Sequence, residues 1–348
     1  RDLHYPLRRQ RQMCIRDRTS GVSTDTRTIN EDCMFIALKG GNFNGNLFAQ
    51  EAIDKGAKYA IVDEADKAND KEIFYVDNGL IFLQKLANYH RNQFDIPVIG
   101  ITGSNGKTST KELIHTILST EYNVLYTIGN LNNHIGVPLT LLRLTNEHHI
   151  AIIEMGANQP DDIKELCEIT EPNHGIITNI GKAHLEGFKN LDGVIKTKSA
   201  LYHSVSTKQG TLFYNIDDHI LTPILPSNTK NHSYGTSNSE IQGVLNELTP
   251  YIRMNWSKTD YSSPIVETKM IGKYNFYNFL AAICIGNHFD VTEANICKAI
   301  EGYIPDNNRS QVQKTDKNTL IVDCYNANPT SMSLALESFH LIDHPKKI

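Results

Sequence analysis

This sequence is short of several things, and each shortage excludes a class of function. It has six cysteines (Cys14, Cys33, Cys167, Cys284, Cys297, Cys324) and no C-x-x-C pair among them. Such spacing builds neither a zinc ribbon nor a disulfide framework. It suits scattered thiols in a reducing compartment, so a cytoplasmic location is expected. Positive charge is not in excess: 34 Lys and Arg stand against 39 Asp and Glu, a net charge of −5. A nucleic-acid partner is therefore not expected. No apolar run reaches the length that spans a bilayer, so membrane insertion is not expected either. The first 18 residues hold six arginines (Arg1, Arg8, Arg9, Arg11, Arg16, Arg18) and lack the apolar core of a signal peptide. Residues 1–18 are read as a non-native or artefactual segment, such as an assembly scar, and set aside. The remaining length allows two or three domains with a substantial core.

What the chain does have is a phosphate-binding loop. An apolar strand, Val98-Ile-Gly-Ile101, runs into Thr102-Gly-Ser-Asn-Gly-Lys-Thr-Ser-Thr110, and a helix-competent run, Lys111-Glu-Leu-Ile-His-Thr-Ile-Leu118, leaves it. Strand, glycine-rich loop and helix is the context such a loop requires. Gly103 and Gly106 let backbone N–H groups approach an anion, and the helix N-terminus adds partial positive charge. Lys107 can reach terminal phosphates, and Thr108 can offer its hydroxyl to Mg²⁺. ATP is the expected ligand. The strict P-loop pattern would place a glycine at position 101, where Ile101 stands.

Around this loop the pattern is strand–helix alternation. Strands are expected at 98–102, 124–127, 150–154, 175–179 and 211–215, with helices at 109–119, 137–144, 161–169 and 194–202. Such alternation implies an α/β fold with a mostly parallel sheet, and ligands at the carboxyl ends of its strands. Before it, residues 19–95 read as a smaller α/β unit, with buried strands at 33–38 and 59–63 and an amphipathic helix at 79–93. After it, 227–239 and 255–263 read as turns of a more antiparallel region, followed by a helix at 275–288. A new strand at 319–323 and a helix from Pro329 begin something that one strand and one helix cannot complete. The expected division is 19–95, 96–308 and 309–348, the last being the start of a domain cut short.

Several residues stand out from this pattern. Glu154 ends an apolar strand beside the loop, followed by a Gly156-Ala-Asn158 turn, and is placed to hold Mg²⁺. His184 follows another strand end, where either a ligand role or an ordinary solvated loop histidine fits. Lys198 reads as a helix-surface lysine with nothing to single it out. The amide-rich Thr127–Pro138 segment offers Asn130, Asn132 and Asn133 to a polar ligand. Ser23-Thr-Asp-Thr-Arg27 joins hydroxyls to an arginine, a set that suits a diphosphate.

Taken together, these segments resemble the Mur ligase family. The matching pieces are S-T-D-T-R at Ser23, F-I-A-L-K-G at Phe35, T-G-S-N-G-K-T at Thr102, N-L-N-N-x-I-G-V-P at Asn130, E-M-G-A-N at Glu154, A-H-L-E-G-F at Ala183 and Y-N-A-N-P at Tyr325. The resemblance implies a three-domain α/β architecture: a UDP-sugar-binding N-terminal domain, a central P-loop ATPase, and a Rossmann-like C-terminal domain that is incomplete here. It implies ATP-dependent amide formation through an acyl phosphate in peptidoglycan precursor synthesis. UDP-N-acetylmuramoyl-tripeptide is the implied acid and D-alanyl-D-alanine the implied amine; a monomer is expected. By the same resemblance Thr102, Gly103, Ser104, Asn105, Gly106, Lys107, Thr108 and Ser109 cradle the phosphates. Asn275 and Asn278 lie on the adenine side, and Arg309, Asp323, Tyr325 and Asn326 approach the nucleotide. Thr108 and Glu154 hold one Mg²⁺, and His184 and Lys198 a second, with Lys198 carbamylated. Lys107, Glu154, His184 and Lys198 are then the catalytic set, and Ser23, Thr24, Arg27, Asn130, Asn132 and Asn133 bind substrate.

Some positions depart from the family's usual residues. Phe43-Asn-Gly-Asn46 stands where Asp-Gly-His is common. His134 replaces a frequent Asp, Tyr274 a frequent His, and Ala200 a Glu that often follows the metal lysine. Three other readings compete: a sibling amino-acid ligase or folylpolyglutamate synthase, a nucleotide-binding module without catalysis, and a plain P-loop NTPase.

Overall fold

The computed structural model describes residues 19–181, 185–306, 308–323, 329–342 and 347. They fall into two compact units, Arg1–Asp95 with His134–Thr145, and Ile96–Asn133 with Asn146–Ile348. Among the described residues no helix is long and apolar enough to cross a membrane.

The first unit is a small parallel sheet. Strands β1 (Val22–Ser23), β2 (Met34–Ile36), β5 (Tyr59–Val62) and β6 (Ile73–Tyr75) lie in the order β1-β2-β5-β6. The hairpin β3 (Lys39–Gly40) and β4 (Phe43–Asn44) stands apart from them. Helix α1 (Ala49–Asp54) buries Ala49 and Ala52 against the sheet, in a cluster with Phe35, Ala60 and Val62. Helix α2 (Gly79–Arg91) starts at Asn78, whose side chain accepts from the Ile81 N–H, and buries Leu83, Leu86 and Ala87. That is an N-cap followed by an i, i+3, i+4 apolar face.

The second unit is built on a ten-stranded sheet. Its strands are β7 (Val98–Thr102), β8 (Val124–Tyr126), β9 (Ile150–Glu154), β10 (His174–Ile177), β11 (Thr211–Asn215), β12 (Lys230–Gly235), β13 (Ile241–Glu247), β14 (Arg253–Lys258), β15 (Tyr261–Ser262) and β16 (Val266–Glu267). The order is β8-β9-β7-β10-β11-β12-β13-β14-β15, with β16 also on β14. Pairing is parallel from β8 through β13 and antiparallel beyond. Strands β7 and β9 are buried at every position, as continuous apolar runs covered on both faces must be.

Helices cover the sheet: α3 (Lys107–Leu118), α4 (Asp162–Thr170), α5 (Leu191–Thr207), α6 (Tyr274–His288) and α7 (Glu293–Gly302). The α3 stripe Leu113, Ile114, Ile117, Leu118 and most of α6 enter one core with Ile99, Phe213 and Trp256. On the other side α5 lies close to β7, where a Cβ on Gly100 would come within 2.8 Å of Leu201. The last pieces are the hairpin β17 (Gln311–Lys314) and β18 (Thr319–Val322) and helix α8 (Pro329–Leu341).

Three expectations are corrected. The stretch 255–263, read as turns, contains most of β14 and all of β15, and the stretch 227–239, read likewise, contains β12 paired parallel to β11. The polarity of β12 hid it, because Lys230, Asn231 and His232 open the strand and only Ser233, Tyr234 and Gly235 are buried. Helix α7 was not expected at all. Thr292 caps it by accepting from the Asn295 N–H, and Ile296, Cys297, Ala299 and Ile300 form its buried face.

Candidate active site

Strand register brings the site together. Strand β7 lies between β9 and β10, with Ile101 opposite Glu154 and Thr102 opposite Ile177. Three carboxyl ends therefore open side by side, and the chain leaves β7 into the phosphate loop. Two loop positions require glycine. Gly103 has φ +154° and Gly106 φ +77°; a Cβ on the first would collide with the Thr178 hydroxyl, and one on the second would sit 2.6 Å from Asn278 Oδ1.

Segment 178–181 holds the loop in shape. Ser104 N–H donates to the Asn179 carbonyl (2.9 Å) and Asn105 N–H to Asn179 Oδ1 (3.0 Å). Asn179 Nδ2 and Thr178 Oγ1 both donate to the Asn105 carbonyl, at 2.9 and 2.6 Å. Ser104 Oγ donates to the Gly181 carbonyl and accepts from its N–H. Thr102 Oγ1 donates to the Met155 carbonyl at 2.9 Å. Ser109 is buried in the first turn of α3.

Two lysines meet on one carbonyl. Lys107 Nζ donates to the Gly103 oxygen at 2.8 Å and lies 3.4 Å from the Ser104 oxygen. Lys198, from the buried face of α5, donates to the same Gly103 oxygen at 3.0 Å. Burial pushes the Lys107 ammonium below its usual range, and the Arg309 charge adds to this. Burial, with the Lys107 charge beside it, pushes Lys198 down to about 7. Two desolvated cations thus share one neutral acceptor, an arrangement that an anion would relieve.

Glu154 is 1% exposed. Its Oε1 accepts from Thr108 Oγ1 (3.2 Å) and Asn132 Nδ2 (2.9 Å), while its Oε2 is buried with no hydrogen-bond partner. A bare buried carboxylate oxygen beside a hydroxyl is the donor set of a hard divalent cation. Among the described residues no three His, Cys, Asp or Glu side chains gather as a protein-only metal cage. Mg²⁺ at phosphates needs only one or two carboxylates.

On the far side of the loop Thr110 Oγ1 donates to Asn278 Oδ1 (3.1 Å) and Asn278 Nδ2 to Asn275 Oδ1 (2.8 Å). Asn275 Nδ2 reaches Ser310 Oγ at 3.1 Å. Tyr274 Oη lies 2.7 Å from Ser310 Oγ and donates to Asp323 Oδ2 at 3.0 Å. Burial and the Asp323 charge push this phenol well above its usual range. Asp323 is therefore tied to the start of α6 by Tyr274, the position that departs from the family's histidine.

The remaining predicted residues are not all gathered here. Asn130 and Asn133 are exposed, and Asn132 bonds to Glu154. Ser23, Thr24 and Arg27 belong to the first unit. There Ser23 Oγ contacts the Asp25 carbonyl and Thr28, and Arg27 forks onto Asp25 at 2.6–3.0 Å. That fork pulls the Asp25 carboxyl down to about 2. His184, Tyr325 and Asn326 lie outside the described residues. A groove of 860 Å³ between α4 and α5 is lined by Lys164, Cys167, Lys196, Ala200 and His203 but by no residue of the phosphate loop 102–109. A phosphate loop binds by converging N–H groups rather than by depth.

Comparisons with known proteins point to one family. Residues 101–286 match the family described as Mur ligase middle domain, and residues 18–91 the one described as Mur ligase family, catalytic domain. The UDP-N-acetylmuramoyl-tripeptide–D-alanyl-D-alanine ligase of Bacillus subtilis is 34% identical over 322 residues, covering 91% of this chain and 69% of that protein. The ligase of the same name from Escherichia coli is 34% identical over 326 residues, 91% of this chain and 71% of that one. Among solved structures, MurF from Acinetobacter baumannii superposes with a TM-score of 0.84 at 30% identity, covering 94% of this chain and 75% of that one. MurF from Thermotoga maritima, in complex with ADP, gives 0.82 at 26% identity, covering 92% and 74%.

Proposed function

We propose, from the premise that this chain belongs to the Mur ligase family, that it joins D-alanyl-D-alanine to UDP-N-acetylmuramoyl-tripeptide at the expense of ATP. The observation that carries the chemistry is the pair of desolvated lysines on the Gly103 carbonyl beside the bare Glu154 oxygen. The substrates rest on the relatives' named activity.

A carboxylate is a poor electrophile. Transfer of the γ-phosphoryl group of ATP to the tripeptide's terminal carboxylate breaks the bond to the β-phosphate, releases ADP and makes an acyl phosphate, whose phosphate is the leaving group of the next step. The D-alanyl-D-alanine amine then attacks the acyl carbon, and the tetrahedral intermediate expels phosphate to leave the amide. Two anions must approach each other in the first step, so fixed positive charge has to lower their repulsion. Lys107 supplies it at the phosphates, turning from the Gly103 carbonyl to the stronger acceptor. The loop N–H groups from Gly103 to Ser109 orient the phosphate chain, and Asn275 and Asn278 flank it on the adenine side. Arg309 and Asp323, with Tyr325 and Asn326, meet the nucleotide from the C-terminal segment.

Thr108 and Glu154 would hold one Mg²⁺, and Lys198 with His184 a second. The ions supply charge neutralisation at the transferring phosphoryl group. Lys198 suits that role as a carbamate. An amine held near neutral pH can attack CO₂ to form an N–C bond and release one proton, which replaces a cation by a metal-binding anion. Asn130, Asn132 and Asn133 bind the nucleotide-linked peptide, and Ser23, Thr24 and Arg27 its diphosphate. ATP and a nucleotide-linked precursor place the reaction in the cytoplasm.

The test is to incubate the protein with ATP, Mg²⁺, a UDP-N-acetylmuramoyl-tripeptide and a mixture of acceptors, and identify the product by mass. Gain of D-alanyl-D-alanine with release of phosphate is the expected result. A different acceptor in the product would move the protein to a sibling ligase. ATP binding with no product would favour a non-catalytic nucleotide-binding module.

A further inference from the structure

Lys111 has no role in the chemistry above, yet it is among the most buried charges of the molecule, 0% exposed on α3 one turn beyond Lys107. Burying an ammonium costs several kcal/mol unless its surroundings repay it, so its partners are informative. Nζ donates to the Thr127 carbonyl at 2.6 Å and pairs with Glu112 Oε1 at 2.9 Å. It lies 5.5 Å from the centre of the Tyr126 ring. His115, stacked on that ring, is pushed down to about 4 by burial and by the Lys111 charge. The remaining charged neighbour is Glu154, whose Oε2 stands 4.0 Å from Nζ.

That last distance matters. It is close enough for charge compensation and too long for a hydrogen bond. A lysine bonded directly to Oε2 would occupy the lone pair that a metal needs. A carboxylate with no cation nearby would be costly to bury ionised. Lys111 avoids both, because Thr127 and Glu112 hold its ammonium back. Through Thr127 the same lysine also braces the Glu154 backbone, whose N–H donates to Thr127 Oγ1 at 3.0 Å. By the Thr127 carbonyl it also ties the start of the amide-rich segment to the P-loop helix.

We propose that Lys111 is the positioning residue of the metal carboxylate: its anchored ammonium compensates Glu154 while leaving Oε2 open to a divalent cation. This rests on the reading of Glu154 as a metal ligand. With Lys111 gone, Thr108 and Asn132 are the hydrogen-bonding side chains left to the carboxylate, both on Oε1. Rotating Oε2 into their reach is then the cheapest relief for an uncompensated charge, and a metal has to undo that rotation.

The test is direct binding of Mn²⁺, followed by electron paramagnetic resonance, with a non-hydrolysable ATP analogue present. Lys111→Met is expected to raise the Mn²⁺ dissociation constant at least tenfold. Analogue affinity without metal should stay within twofold of wild type, which a general loss of structure would not allow. Lys111→Arg, which keeps the charge, should recover most of the loss. Lys111→Gln keeps a donor for Thr127 without the charge and makes the same test should the methionine variant fail to fold. In a Glu154→Gln background Lys111→Met should add nothing. Unchanged Mn²⁺ binding in Lys111→Met, or a full additive loss in the double variant, overturns the proposal while Glu154 keeps its role. Unchanged binding in Glu154→Gln alone overturns the metal reading of Glu154, and the role of Lys111 falls with it.

Discussion

The two ends of the large sheet treat buried polar groups in opposite ways. At the carboxyl end two lysines compete for the Gly103 oxygen, and Glu154 Oε2 has no hydrogen-bond partner. At the amino end three histidines, from β10, α6 and β12, form a continuous chain. His174 Nδ1 bonds to Asn173 Oδ1 (2.8 Å) and its Nε2 to His288 Nε2 (3.2 Å); His288 Nδ1 bonds to His232 Nε2 (3.1 Å), and His232 Nδ1 to Glu240 (2.6 Å). Every ring nitrogen there has a partner. Helix α6 reaches both ends, with Asn275 and Asn278 at one and His288 at the other. The same scaffold is left incomplete where an anion and a metal would complete it, and closed where nothing has to bind. Under the proposed function, buried groups short of partners mark the site better than cavity volume does.

The comparison breaks first if the incomplete end turns out to be dispensable. Lys107→Ala removes the cation proposed to meet the phosphates, and turnover should fall by at least about a thousandfold, with the thermal melting temperature almost unchanged. Product formation near the wild-type rate would remove the loop from the chemistry. Lys198→Ala should cost about a hundredfold or more and be partly restored by added formate or acetate, which place a carboxylate where the carbamate would stand. Full activity without rescue would take Lys198 out of the metal site. Gly106→Ala is a smaller perturbation. A left-handed residue gains a Cβ 2.6 Å from Asn278 Oδ1, so nucleotide affinity should drop roughly tenfold and stability by about 1–2 kcal/mol. Unchanged nucleotide affinity would show that the turn tolerates a side chain and that its geometry is not critical.

How much of each end was legible in the sequence differs for a physical reason. The phosphate loop announces itself, because apolar strand, left-handed glycines and helix start must occur in that order within a few residues. Glu154 follows from its place at the tip of an apolar strand. Lys198 does not, since a lysine in a helix looks the same whether it faces water or the Gly103 carbonyl; only the family resemblance singled it out. Lys111 was missed outright. Its signal was present in the α3 stripe, where positions 111, 114 and 118 share one buried face and a lysine stands among apolar residues. The histidine chain was invisible, because its members come from 174, 232 and 288, far apart in sequence. It also required β12, a polar strand that periodicity does not reveal.

The amino end gives the smallest effect on activity and the sharpest one on acid stability. Asn173 Oδ1 already accepts from the Val98 N–H at 2.7 Å, so His174 Nδ1 must donate to it. The Glu240 carboxylate likewise requires a donor on His232. Protonation of the inner rings is resisted: burial first, and the neighbouring imidazoles next, push His174 down to about 4. Burial and His232 do the same to His288, again to about 4, with Lys230 acting alongside and Asp290 and Glu240 opposing. The folded pKa lies below the unfolded value, so between about pH 6.5 and 4 the unfolded chain binds protons that the folded chain refuses. Stability should fall by about 2–3 kcal/mol on acidification from about pH 6.5 to pH 4.5, after allowing for solvent screening of partly exposed rings. Thermal melts across that range measure it. The double variant His174→Gln, His288→Gln should melt lower at pH 7.5 but lose less on acidification, with ATP affinity within twofold of wild type. A parallel acid slope in the variant would assign the loss to carboxylates elsewhere. A collapse of ATP affinity would show that the two ends are coupled through α6, and that the closed end is not a purely structural one.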